Sequence, residues 1–268
     1  MTAFTMGPAL LFCPADRPER YRKAADRSDA VILDLEDAVN PDAKPTARRL
    51  LTAEQLDPDR TIVRLNAADT SDFAEDLRAV AATGYRTVLL AKTAGPAHTR
   101  LLSGYDVVAL VETAAGVVHV AEIAAEPNVV GLMWGAEDLV ASLGGTSSRR
   151  PDGTYRDVAA HARSATLLAA GAYGKAAIDA VHLDIGDAAG LEAEARDAAA
   201  SGFVATACIH PSQVDVVRAA YQPTDDEVRW ARAVLAAAVG EHGAFRLDGR
   251  LVDGPVLKHA RQVLSRVR

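Results

Sequence analysis

The chain lacks most of the features that would assign it to a class at once. No apolar run approaches the ~18 residues of a membrane-spanning helix. Residues 1–8 have neither the basic start nor the apolar core of a secretion signal. These two absences point to a cytoplasmic protein. Cysteine is scarce: Cys13 and Cys208 stand alone, both in apolar runs, which reads as buried thiols and not as a disulfide or metal framework. A basic surplus is also missing. With 29 Lys and Arg against 36 Asp and Glu, the net charge is −7, so neither nucleic acid nor an anionic membrane is an expected partner. Any anionic ligand needs a local basic patch. None of the seven histidines has metal-ligand spacing, although His210, before Pro211, falls at a strand end. There is no P-loop, dinucleotide fingerprint, nucleophile elbow or internal repeat.

What is present is an ordinary globular composition, 49% apolar and 24% charged over 268 residues, long enough to bury a full core. Three stretches organise the rest: 30–37, 107–113 and 129–138. Each is an apolar run rich in β-branched residues that ends in a carboxylate. Runs of this kind suit strands buried on both faces, as in parallel sheets. Acids at the C-terminal ends of such strands sit where a (β/α)₈ barrel places its catalytic groups.

Eight strand candidates, 10–13, 30–37, 61–66, 87–92, 106–112, 129–134, 177–182 and 204–209, alternate with helical patterns. The expected helices are 19–27, 45–55, 71–83 (capped by Ser71 or Asp72), 117–125, an Ala-rich one to about 170, 191–200 and 213–221. The pattern predicts an α/β fold, a (β/α)₈ TIM barrel over 1–222, with an open doubly wound sheet as the alternative. The turn-rich 143–153 stretch reads as a candidate lid at the acidic end. Residues 223–268 form a helical C-terminal extension with a hairpin-like segment around Asp248, Gly249 and Arg250, placed to pack on its own barrel or to reach a neighbouring subunit.

Glu112 and Asp138 end adjacent strands. Without a His or Cys cluster beside them, two carboxylates suit a hard ion that keeps its waters, Mg²⁺ above all. The competing reading has each acid capping a helix or pairing with an arginine. Glu36 and Asp37, ending the second strand, could hold metal-bound waters. Asp34 reads as an in-barrel polar contact, and Glu137 receives no role. Arg64 interrupts an apolar strand, where an unmatched cation is costly. It can grip a substrate carboxylate or carbonyl oxygen in two-pronged fashion, or bridge to Glu36 or Asp37. Lys92, at a strand end, has a Schiff-base position, but acids around it favour a charged-partner role. Arg17, Arg20 and Lys23 after the first strand form a basic cluster suited to a phosphate-bearing ligand, or else a solvated helix face. Arg149 and Arg150 are weaker candidates of the same kind.

The segments Phe12-Cys13-Pro14-Ala15-Asp16-Arg17-Pro18-Glu19-Arg20, Ile32-Leu33-Asp34-Leu35-Glu36-Asp37-Ala38-Val39 and Val63-Arg64-Leu65-Asn66 carry a resemblance, in this order. So do Leu110-Val111-Glu112-Thr113-Ala114, Gly135-Ala136-Glu137-Asp138-Leu139, Cys208-Ile209-His210-Pro211-Ser212-Gln213 and Gly249-Arg250-Leu251-Val252-Asp253-Gly254-Pro255. Over nearly its whole length the chain resembles the citrate lyase β-subunit-like family, which includes malyl-CoA and citramalyl-CoA lyases. The resemblance implies a barrel binding Mg²⁺ through Glu112 and Asp138, with Arg64 and the backbone around Gly135 and Ala136 holding a 2-oxo acid. It implies a homotrimer or dimer of trimers, in which the C-terminal segment brings Asp253 over a neighbour's metal as the acid/base at the acetyl carbon. It places the CoA nucleotide near Arg17, Arg20 and Lys23.

The implied function is Mg²⁺-dependent cleavage of a β-hydroxyacyl-CoA into acetyl-CoA and a 2-oxo acid or related carbonyl product, with thioester hydrolysis as a side activity. Alternatives are a citrate lyase β-subunit acting on a carrier-bound acyl group, a metal-dependent aldolase on free 2-oxo acids, and a non-catalytic acyl-CoA-binding barrel. Two departures, Pro14-Ala15 where many relatives have Pro-Gly and Ala205-Thr206 where many have Gly-Lys, bear on the nucleotide and acyl-group details.

Overall fold

Eight short parallel strands close on themselves in the computed structural model, which describes residues 4–241 and 243–267. Residues 1–3 of the stretch read for a secretion signal lie outside the described residues. The strands are β1 (Ala9–Pro14), β2 (Ala30–Asp34), β3 (Thr61–Leu65), β4 (Thr87–Leu90), β5 (Asp106–Val111), β6 (Val129–Trp134), β7 (Ala176–Asp179) and β8 (Ala205–Cys208). Each pairs with the next, and β8 returns to β1 through Ala9, Leu10 and Leu11. The predicted barrel is therefore the fold, and the open sheet is excluded.

Residues alternate across a strand, so every second residue of the eight strands points inward. Leu10, Ile32, Ile62, Leu89, Val108, Leu110, Met133, Ile178, Ala205 and Ala207 make one buried cluster drawn from all eight strands. This apolar plug fills the barrel, leaving polar groups to collect above it at the C-terminal ends. The outer faces are covered by α1 (Pro18–Arg27), α2 (Lys44–Ala53), α3 (Ser71–Ala81), α4 (Pro96–Arg100), α5 (Ala114–Val118), α6 (Val120–Ala125), α7 (Ala136–Ser142), α8 (Asp157–Ala172), α9 (Ala188–Ser201) and α10 (Pro211–Tyr221). Cys13 and Cys208 are free and buried. Among the described residues no helix is long and apolar enough to cross a membrane.

Several element boundaries differ from expectation. Strand β2 stops at Asp34, not 37, because the Asp34 carboxylate accepts the N–H groups of Glu36 (2.9 Å) and Ala38 (3.1 Å) and turns the chain out of the sheet. Strand β4 stops at Leu90 because Lys92 adopts a left-handed conformation, φ +50°. The expected 117–125 helix begins earlier and breaks at His119 into α5 and α6. Helix α3 has Thr70, not Ser71 or Asp72, at its N-cap position, without a side-chain cap.

The chain divides into two compact units, 1–217 and 218–268, so the division falls within α10 and ahead of the 222/223 boundary expected. The second unit holds α11 (Asp225–Ala237), the antiparallel pair β9 (Phe245–Leu247) and β10 (Arg250–Val252), and α12 (Gly254–Ser265). Thr224 and Glu227 cap α11 reciprocally. Ala231, Val234, Val252, Ala260 and Val263 form the unit's own core.

Candidate functional site

The inward files of three strands continue past the apolar plug into charge. Two residues beyond Ile32 stands Asp34, two beyond Ile62 stands Arg64, and two beyond Leu110 stands Glu112. The barrel register thus delivers an acid, a cation and an acid to one mouth. Buried charges are tolerated only when matched, and here they are matched to one another. Arg64 donates Nε–H and Nη2–H to the two Asp34 oxygens at 2.7 and 2.5 Å. Its Nη1 lies 3.1 Å from Glu36, and its guanidinium stands 4.9 Å over the Phe12 ring. The acids hold the guanidinium protonated well above even the usual arginine range, against burial.

The bridge anticipated to Glu36 or Asp37 therefore goes to Asp34 and Glu36. A guanidinium carries five N–H donors, so Arg64 keeps donors for a further oxygen acceptor. Burial pushes Glu36 upward, opposed first by Arg64 and then by Lys92.

Glu112 is 3% exposed. One of its oxygens accepts the backbone N–H of Lys92 at 2.9 Å. Burial, and then repulsion from Asp138, push its carboxyl up to about 8. Gly135, just after β6, sits against it: a Cβ there would come within 2.8 Å of Glu112 Oε2 and 3.0 Å of its Cβ, so a larger residue would displace the Glu112 side chain. Asp138, in the first turn of α7, faces the same lysine, with Oδ1 3.5 Å from Lys92 Nζ. The Lys92 ammonium also touches Glu36 and lies 3.2 Å from Asp37.

Five carboxylates, Asp34, Glu36, Asp37, Glu112 and Asp138, thus gather around two cations, Arg64 and Lys92. The surplus of negative charge and the all-oxygen donor set fit a hard divalent ion. Among the described residues no set of three or more His, Cys, Asp or Glu side chains forms a metal cage. Two carboxylates with room for water are what Mg²⁺ takes.

The remaining candidates are placed as follows. Arg17 and Arg20 have well-exposed side chains, 3.7 Å from Asp16 and 4.0 Å from Glu19 respectively, and Lys23 is exposed on α1. Gly135 donates its N–H to Val111 O at 3.2 Å, and Ala136 is the first residue of α7. Asp253 lies in the second unit at the N-cap of α12, accepting from Val256 N at 3.3 Å. His210 Nδ1 lies 2.8 Å from Ser212 Oγ.

Arg149 and Arg150 do not form a basic patch. Arg149 is bound to Glu194 at 2.5 Å and Arg150 to Asp157 at 2.7 Å, and Ser148 donates to Glu137 at 2.5 Å. These bonds tie the 143–153 stretch down. A cavity of about 760 Å³ beneath it is lined by Asp179 and Thr206 among others. These alternate with inward-facing Ile178 and Ala205, so the cavity lies outside the barrel wall, by α8 and α9. Its arginines already face acids, Arg163 meeting Asp179 (2.8 Å) and Asp197 (2.6 Å).

Residues 9–211 match the family model described as HpcH/HpaI aldolase/citrate lyase. The chain belongs to this family. Members similar to it include a citrate lyase subunit beta-like protein of Mycobacterium tuberculosis, 60% identical over 97% of this chain and 95% of the relative. A (3S)-malyl-CoA thioesterase of Cereibacter sphaeroides is 34% identical over 96% of this chain and 93% of its own length. Human mitochondrial citramalyl-CoA lyase is 30% identical over 96% and 84%. The crystal structure of CitE from Mycobacterium tuberculosis in complex with magnesium, acetoacetate and coenzyme A superposes with a TM-score of 0.95. It is 59% identical and is covered over 98% of both chains. The HpcH/HpaI family thus includes lyases and a thioesterase that act on CoA esters, and a magnesium-bound structure on this same barrel.

Proposed function

We propose that this chain is a Mg²⁺-dependent carbon–carbon lyase that splits a β-hydroxyacyl-CoA, of the malyl-, citramalyl- or hydroxymethylglutaryl-CoA type, into acetyl-CoA and a 2-oxo acid or related carbonyl product. The observation that carries this reading is the meeting of Glu112 and Asp138 on one lysine, beside an Arg64 already oriented by Asp34.

Glu112 and Asp138 are the residues that would hold the ion, with Glu36 and Asp37 toward its waters. When bound, the ion supplies positive charge for the β-oxygen of the substrate. Arg64 contributes to the same oxygen and orients the oxo-acid fragment, because its planar fork is fixed from behind by Asp34. As the C–C bond breaks, the β-hydroxyl gives its proton to solvent water and becomes a carbonyl. The electron pair passes to the thioester enolate, and a proton returns to the acetyl carbon. Asp253, carried from a neighbouring subunit of a homotrimer or dimer of trimers, handles that proton, an effect worth ~10²–10⁴ in rate. The Ala136 N–H supports the oxo-acid carboxylate. Arg17, Arg20 and Lys23 meet the CoA phosphates as solvent-facing cations.

Thioester hydrolysis is the second reading, favoured by the 34% identity to a malyl-CoA thioesterase. A mass-spectrometric screen of malyl-, citramalyl- and hydroxymethylglutaryl-CoA enantiomers, with Mg²⁺ and with chelator, separates the two. The lyase yields acetyl-CoA and a carbonyl product; a thioesterase yields free CoA and the intact hydroxy acid. CoA binding without any cleavage would overturn both. Copurification of an acyl carrier protein would move the acyl group from CoA to that carrier.

A further inference from the structure

Lys92, the lysine on which Glu112 and Asp138 meet, has no role of its own in the lyase reading. It is one of two non-glycine residues with positive φ among the described residues, at +50°, the other being Asp248. A left-handed conformation is strained for a residue with a β-carbon and persists where its surroundings hold it. Here it turns the Lys92 N–H onto Glu112 Oε1 at 2.9 Å, while the next residue, Thr93, still donates to Leu110 O at 3.0 Å. The same turn sends the ammonium into the acids: in contact with Glu36, 3.2 Å from Asp37 and 3.5 Å from Asp138. The side chain is about two-thirds buried, at 31% exposure.

We propose that Lys92 is the resident counter-cation of the divalent-ion site: its ammonium holds Glu36, Asp37 and Asp138 together before the ion arrives, yields Asp138 as the ion binds, and so sets the affinity of the site. The inference rests on the reading of Glu112 and Asp138 as metal ligands. Its physical basis is competition for the same carboxylates. A unit positive charge one carboxylate away repels an incoming divalent ion strongly wherever water is partly excluded, and the ion must take Asp138 from an existing partner. The device has a use in the empty protein. Without Lys92, Glu36, Asp37 and Asp138 would face one another with Arg64 as the one remaining cation of the group, at 3.1 Å from Glu36. The backbone half of the residue is a positioning element: the N–H on Glu112 fixes one oxygen of the other proposed ligand, leaving the second free.

The two halves separate by substitution. Lys92→Met removes the ammonium while keeping side-chain length and a β-carbon. Lys92→Arg keeps the charge. Lys92→Gly removes the charge and makes the left-handed turn free of strain. Mg²⁺ titration by calorimetry, with no substrate present, is the primary readout, and thermal melting of metal-free and Mg²⁺-saturated protein is the second. Lys92→Met and Lys92→Gly should bind Mg²⁺ at least about tenfold more tightly than wild type, and Lys92→Arg should stay close to wild type. Metal-free Lys92→Met should melt below wild type, and saturating Mg²⁺ should close most of that gap. Unchanged or weaker Mg²⁺ binding in Lys92→Met, with binding still abolished by Glu112→Gln, overturns this inference and leaves the lyase reading standing. Mg²⁺ binding that survives both Glu112→Gln and Asp138→Asn overturns both.

Discussion

With the ion on Glu112, as proposed, Mg²⁺ binding becomes a proton-exchange reaction, and the size of the effect follows from the surroundings of that carboxyl. The carboxyl is buried and repelled by Asp138, which pushes it up to about 8 from an ordinary 4.5. On that reading, below about pH 8 the metal-free carboxyl carries a proton that the ion must displace. The apparent dissociation constant for Mg²⁺ should then rise about tenfold for each pH unit below 8 and level off above it. Stability follows with the opposite sense from a salt-bridged acid. The folded-state value lies above the unfolded one, so the metal-free protein binds more protons folded than unfolded between pH 4.5 and 8. This group's contribution is therefore largest at low pH and is lost as pH rises through that window, by at most ~5 kcal/mol.

Calorimetry at pH 6, 7 and 8, in buffers of different ionisation enthalpy, measures both affinity and protons released. Release should approach one proton per ion below about pH 7 and fade above about pH 8. The melting temperature of metal-free protein should fall with rising pH more steeply in wild type than in Glu112→Gln. A Mg²⁺ affinity flat from pH 6 to 8, or binding without proton release, would refute the placement of the ion on Glu112.

Three further outcomes follow from the same geometry. Arg64→Lys should fold but lose ~10²-fold or more in kcat/KM, because an ammonium cannot grip Asp34 in two-pronged fashion and present a second edge to substrate; near-normal steady-state kinetics would remove Arg64 from the chemistry. Asp253→Asn keeps a side chain that caps α12 as well as aspartate does, so melting and Mg²⁺ affinity should hold while kcat drops ~10²–10⁴-fold; unchanged turnover would reduce Asp253 to a helix cap. Gly135→Ala places a methyl 2.8 Å from Glu112 Oε2. It should weaken Mg²⁺ binding ~10–100-fold by calorimetry, and wild-type affinity would show that Glu112 need not hold this position.

The sequence made some of this legible and hid the rest for identifiable reasons. Strands buried on both faces write themselves as apolar runs, which is why all eight staves could be read. The acids that end β5 and the β6–α7 turn stood out because nothing about folding requires them. What could not be read depends on side-chain-to-backbone contacts made at the mouth. The end of β2 looked three residues longer than it is because Leu35 continues the apolar pattern, while the turn is imposed by the Asp34 carboxylate. The left-handed turn at Lys92 has no local signal, since lysine is not a residue that favours it. Likewise Arg149 and Arg150 formed an apparent basic pair in sequence, and only the approach of Glu194 and Asp157 neutralises them.

Arg64 shows why the two readings of a buried cation need not compete. As a salt bridge alone, it would be satisfied fully by a single carboxylate and could lie flat against the barrel wall. Instead Asp34, itself 1% exposed, takes Nε and Nη2 from behind, and Glu36 faces Nη1 at 3.1 Å. Phe12 stacks near the guanidinium. Asp34 thereby does two things with one carboxylate: it ends β2, and it fixes the plane of the guanidinium. A rigidly held cation costs little reorganisation when charge develops on a nearby oxygen, so the ion pair that stabilises the empty barrel is also the arrangement that would prepare Arg64 for substrate. On this argument Asp34→Asn, which keeps the shape but weakens the grip, should lower kcat more than it raises KM. The reverse pattern would mean that Asp34 serves ground-state binding alone.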